Sequence, residues 1–110
     1  MINTSEVMRI TELAAYTPDA IVSRTLVKNT AGNVTLFAFG AGQGLSKHSA
    51  PFDALVQVID GKLFVTIDQQ DHALCAGEMI LMPANIPHAV HAPEDARMLL
   101  VMLKDKSDNA

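Results

Sequence analysis

Between residues 20 and 103 the chain is a succession of short, β-branched, apolar runs, each cut by glycine, proline or a polar pair. None runs long enough at helical spacing to make an interior helix. That punctuation constrains the fold more than any other feature, because a run of about four to eight apolar residues bounded by turn residues reads as a strand. Strands are expected at residues 20–28, 34–39, 54–59, 62–67, 72–75, 78–82, 88–91 and 97–103. Turns are expected at residues 29–33 and 40–44, and Asp60-Gly61 has the composition of a tight hairpin. Many short strands joined by such turns form an all-β sandwich or barrel. Residues 1–19 form a segment leading into the barrel, with a short helical turn at 11–16 that Pro18 stops; the barrel domain is 20–104, and 105–110 is a polar tail expected to fray.

Side-chain alternation adds detail. In residues 34–39 both faces are apolar, Val34, Leu36 and Ala38 on one and Phe37 and Phe39 on the other, so both faces must be covered. The last strand is similar, with Met98, Leu100 and Met102 on one face and Leu99, Val101 and Leu103 on the other; parity leaves open which faces inward. A barrel has one interior to fill, so the extra apolar faces need cover.

Charge and cysteine usage exclude several classes. The formal net charge is −4 and no run of Lys or Arg occurs, so a nucleic-acid partner is not expected. No apolar stretch approaches the ~20 residues of a membrane-spanning helix, and the N-terminus has no basic start followed by an apolar block. Cys75 is the only cysteine, so no internal disulfide forms. A cytoplasmic location is the expectation, with Cys75 as a small buried apolar residue.

Two spaced patterns carry the functional signal. The first is Gly42, five residues, His48, Ser49, Ala50, three residues, Ala54, six residues, Gly61. The second is Gly77, five residues, Pro83, Ala84, Asn85, two residues, His88, three residues, Ala92. In spacing these resemble the two motifs of the cupins, small β-barrels of jelly-roll type, over roughly residues 22–103. The resemblance implies an all-β, cupin-type jelly-roll β-barrel and a homodimer, and the uncovered apolar faces agree with a two-fold dimer packed through the early strands. In the family, a His-x-His pair, a Glu and a second-motif His converge on a divalent metal. Here Ala50 stands for the second His of the pair, Ala54 for the Glu, Asn85 for a Gly and Ala92 for an Asn. Asn85 is a mild change, because Asn tolerates the left-handed conformation.

Carried over residue by residue, only His48 and His88 of the four metal-ligand positions remain. Strict alternation turns Gln57, His91 and Asp53 away from them, and His72 has no matching role. A divalent transition metal on His48 and His88 would be weakly held, with water or substrate completing its shell; otherwise no cofactor is expected. The bland alternative is two partly buried histidines, hydrogen-bonded to each other, to backbone or to water. Replacing His and Glu by alanine also removes bulk and charge. A roomier, more apolar ligand pocket is expected, lined by His48, Ala50, Ala54, Val56, Val58, His88 and Val90.

The leading function is therefore binding of a small molecule. One alternative is a metal-dependent oxygenase or isomerase using the two histidines; another is a ligand-sensing or scaffold dimer. Met79, Met82, Met98 and Met102 fill the core or, on a softer reading, add sulfur to the histidines for copper. Tyr16 precedes the barrel, so a metal-free His/Tyr catalytic pair is not evident. Arg24, Arg97 and Lys47 are surface charges or anchors for an anionic ligand at the mouth.

Overall fold

Residues Ile21–Asn29 form β1, and a two-residue turn at Thr30 and Ala31 returns the chain as β2 (Gly32–Phe39). Asn29 closes the turn, its side-chain Oδ1 accepting the Ala31 N–H at 2.8 Å. Gly32 follows with φ 155°, pressed so close to the Met102 carbonyl that a side chain there would collide with it. The remaining strands are β3 (Gly44–His48), β4 (Asp53–Asp60), β5 (Lys62–Ile67), β6 (Gln70–Cys75), β7 (Met79–Met82), β8 (His88–His91) and β9 (Ala96–Leu103). This computed structural model describes residues 1–104; the expected frayed tail, 105–110, lies outside the described residues.

The strands make two sheets, ordered β1-β2-β9-β4-β7 and β3-β8-β5-β6, with every pairing antiparallel. From β2 onward the chain shuttles between them, the β5–β6 hairpin being the one place where consecutive strands stay together. That is a jelly roll, with β1 added at one edge. Among the described residues the sole helical element is a 3-10 turn at Ile10–Glu12, a residue earlier and shorter than the sequence suggests. No helix among them is long and apolar enough to cross a membrane.

Two expectations at turns need correcting. Asp60-Gly61 does not close a hairpin, because β4 and β5 lie in different sheets. Gly61, with φ 80°, carries the chain across, and a β-carbon there would strike the Asp95 carbonyl and Ala96. The Asp60 carboxylate is engaged with Arg97 and Tyr16 instead of in a turn. Cys75 is exposed rather than buried. It ends the edge strand β6, where alternation sends Leu74 inward and Cys75 outward.

The core lies between the sheets. Phe39, Val56, Val58 and Met98 from one sheet meet Leu63, Val65, Leu74 and Val90 from the other, all buried. The second apolar face of β2 is covered from within the same chain. Leu36 and Ala38 are fully buried under a smaller cluster that includes Ile2, Ile10, Leu13, Ala14 and Tyr16 of the N-terminal segment and Leu99 of β9. The Ile2 N–H donates to the Leu26 carbonyl at 3.0 Å.

A polar clamp fixes this cover. Arg97 donates to Asp60 Oδ2 through Nη1 at 2.7 Å and to the Ala14 carbonyl through Nε at 2.8 Å. Its guanidinium lies 4.0 Å above the Tyr16 ring, and the Tyr16 hydroxyl donates to Asp60 Oδ1. Burial, then the hydrogen bond and charge of Asp60, push the Tyr16 hydroxyl well above its ordinary range, against the opposing charge of Arg97. Arg97 is thus part of the scaffold, and Arg24 donates to the Leu13 carbonyl at 3.3 Å. Neither is an anion-binding group at the mouth of the fold.

Candidate functional site

The site forms where β3 ends and β8 begins. His48 closes β3, His88 opens β8, and the two are directly paired across the strands. Their rings meet edge to face, with centroids 4.5 Å apart and planes at 71°. The sequence does not announce β3 as a strand, because Ser46, Lys47 and His48 are polar and exposed. Its partner gives it its shape, through Gly44 and Leu45 opposite His91 and Val90.

The loop after β3 and the loop before β8 are stitched together. The Asn85 N–H donates to the Ala50 carbonyl at 2.7 Å, and the Ala84 N–H to Asp53 Oδ1 at 2.9 Å. Asn85 has φ 65°, the left-handed conformation its side chain tolerates. Asp53 is therefore committed to holding one motif loop against the other. Alternation offered no reason to assign it that role, and its place one residue before Ala54 was the only hint.

Each imidazole is oriented by the carbonyl two residues before it in the chain. His48 Nδ1 lies 2.9 Å from the Ser46 carbonyl, and His88 Nδ1 lies 3.2 Å from the Ile86 carbonyl. A carbonyl oxygen only accepts, so Nδ1 carries the hydrogen in both rings, and in the neutral rings Nε2 bears the lone pair. His88 is the buried member, at 6% exposure, and His48 is exposed at the rim. Burial, then the neighbouring His48 ring, hold His88 below the ordinary histidine value of 6.5, against a smaller opposing pull from the Ile86 carbonyl. His88 is thereby kept neutral at physiological pH.

Beside the pair lies a cavity of about 260 Å³. His48, Ala50, Ala54, His88 and Val90 reach its wall, as do Phe37, Leu45 and Met82. Met98, Leu100 and Met102 complete the lining, which answers the question parity leaves open for β9. Val56 and Val58 correct the expectation for the pocket: they point inward but are fully buried in the packed core and do not line the cavity. The wall space they were expected to fill belongs to Met98 and Leu100, the β9 partners of Val58 and Val56. Ala54 has Met82 on one side and Met102 on the other, in direct cross-strand register. Phe37, Leu45 and Leu100 went unassigned as pocket residues in the sequence because apolar wall and apolar core share one pattern.

These residues do not fit a divalent transition metal. Among the described residues no group of three or more His, Cys, Asp or Glu side chains converges on one point. Two imidazoles at an apolar cavity supply no anion to offset a double charge, and such an ion away from water is costly. Asp53 is turned to the Ala84 N–H, and His91 and Gln57 are on the opposite parity, Gln57 paired with Met79 and Leu99 on the outer face. No charged side chain lines the cavity.

Comparison with known proteins agrees with this architecture. The profile of the Cupin domain family matches residues 34–103. A conserved protein of unknown function from Streptococcus pyogenes is 38% identical in sequence, with a TM-score of 0.91 over 96% of this chain and 93% of its own. A cupin 2 conserved barrel domain protein from Leptotrichia buccalis is also 38% identical, with a TM-score of 0.85; the match covers 88% of this chain and 47% of that one. A cupin superfamily protein from Desulfitobacterium hafniense, 22% identical, shares the fold with a TM-score of 0.88 over 94% of this chain and 95% of its own. No functionally curated protein matches the sequence.

Proposed function

The chain belongs to the cupin family, and on that premise we propose that it binds a small, largely apolar organic molecule between its sheets, without a resident divalent metal. One observation carries the reading: the cavity of about 260 Å³ survives where the family's ligand set is reduced to His48 and His88. An apolar cavity of about 150 Å³ already holds benzene in another protein, so the space here suits a substituted ring or a branched chain of similar size. Two imidazoles at one end would orient such a ligand.

The test is the content of protein purified without tag or chelator, read by plasma mass spectrometry for metals and by extraction and mass spectrometry for organic molecules. A co-purifying organic compound released on denaturation supports the proposal. A near-stoichiometric transition metal that disappears in His48→Ala/His88→Ala refutes it.

A cytoplasmic setting and a homodimer belong to the same proposal. The N-terminal segment covers Leu36 and Ala38, yet Val27 on the edge strand β1, Leu103 on the central β9 and Met79 and Leu81 on the edge strand β7 remain exposed. These side chains support pairing of two copies through the five-stranded sheet. Light scattering at micromolar concentration is expected to give the dimer mass, and a monomer mass would refute the pairing.

A further inference from the structure

The hydrogen-bond pattern of the two histidines narrows the class of ligand. Each Nδ1 donates to the carbonyl two residues before it, Ser46 in β3 and Ile86 in the loop before β8. Among the described residues no protein group bonds to either Nε2, and no buried side-chain nitrogen or oxygen lacks a partner. Nε2 of His88, on a residue at 6% exposure, therefore opens onto the cavity rather than being sealed in protein. The polar end of the cavity presents two acceptors and no donor. Its remaining wall is apolar and carries neither a cation nor a hydroxyl.

We infer that the cavity selects a neutral, ring-sized molecule carrying a single O–H or N–H donor, which it gives to an imidazole Nε2. This rests on the cavity reading proposed above. A hydrocarbon would fill the space but leave the His88 acceptor dry and unpaired. An anion would set its charge against two lone pairs with no cation in the lining to answer it, Arg97 being bound to Asp60 and Ala14 outside the cavity. A donor satisfies the one polar demand the cavity makes, and an acceptor left without a partner weakens binding more than a good hydrogen bond strengthens it.

Three probes separate the cases: phenol, benzene and benzoate, titrated at about pH 8, where free imidazole is neutral. The readout is the imidazole nitrogen spectrum of ¹⁵N-histidine-labelled protein together with the dissociation constants. Before any ligand is added, His48 and His88 are expected as Nδ1–H tautomers. Phenol is expected to shift Nε2 and not Nδ1, and to bind about three- to ten-fold more tightly than benzene. Benzoate is expected to bind at least about ten-fold more weakly than phenol. In His48→Phe, and in His48→Phe/His88→Phe if it folds, the preference for phenol should shrink or invert, because its hydroxyl loses an acceptor.

An Nε2–H tautomer at His88 overturns the inference, as does benzene binding as tightly as phenol with Nε2 unmoved. The second result would leave the cavity itself standing. Failure of all three probes to bind would overturn the inference and the cavity reading together.

Discussion

Ala54→Leu is the substitution that most directly asks whether the cavity is real space. Ala54 is 3% exposed, lies on the cavity wall, and sits between Met82 and Met102. Leucine adds three carbons. If they enter the void, burial at about 0.8 kcal/mol per carbon contributes about 2.4 kcal/mol, and lost rotamer freedom offsets about 0.5–1 kcal/mol of it. The net is a gain of about 1.5–2 kcal/mol, a rise in Tm of roughly 6 °C or more for a domain of this size. If instead the site is packed, the same carbons cost about 1–3 kcal/mol of strain. Val58→Leu supplies the packed comparison, because Val58 is fully buried and off the cavity wall. The assay is urea denaturation of both variants beside a phenol titration. Ala54→Leu should be stabilised and lose phenol binding, and Val58→Leu should be destabilised and keep it. Equal destabilisation of the two would show that there is no void at Ala54. Stabilisation with phenol affinity unchanged would place the ligand elsewhere.

Restoring the missing donors as Ala50→His/Ala54→Glu should create a metal site: adding Zn²⁺ at a thousand times its dissociation constant stabilises the fold by about 4 kcal/mol, read calorimetrically, while the wild-type Tm stays put. Asp60→Asn keeps an oxygen for Tyr16 but sets an amide against the Arg97 guanidinium; on this partly buried pair the cost is about 1–2 kcal/mol, and hydrogen exchange at Ile2 should accelerate before exchange in the core strands does. His88 titrates below 6.5 in the fold and near 6.5 when unfolded. The unfolded chain therefore takes up the proton first, so stability falls as pH drops below 6.5 toward the folded value, and His88→Gln should flatten that slope in denaturation curves. Tyr16 has the opposite window: its pKa is raised from 10.0 on folding, so its contribution is whole below pH 10.0 and fades as pH climbs beyond it, a loss that Tyr16→Phe should abolish.

The strands were legible wherever β-branched residues alternate or run together, as in Lys62–Ile67, whose bounds match the sequence reading. They were not legible in Gly44–His48, a strand held by its neighbour rather than by composition. Motif spacing singled out His48 and His88 but not that they sit on adjacent strands of one sheet, since β3 and β8 are far apart in the chain and their pairing is tertiary. Depth was another matter. Alternation sends Ala54, Val56 and Val58 to the same face, but only packing decides that Ala54 meets a void and the two valines meet other side chains. The cover over Leu36 and Ala38 was also beyond reach, since the need for a lid is local information while its source, residues as early as Ile2 and Ala14, is tertiary. Cys75 was misread for a related reason: its type favours burial, and an edge position overrode it.

The strand order also fixes when this protein can fold during its synthesis. β9 occupies the middle of the five-stranded sheet, bonded to β2 on one side and β4 on the other. Both partners are translated long before it, so they wait on the ribosome with a gap between them and their apolar faces unpaired. The segment before β1, made ahead of every strand, waits too, because Arg97 and Leu99, to which it docks, belong to β9. Completion is therefore late and concerted, and an incomplete chain stopped before Ala96 presents two open strand edges to whatever is nearby.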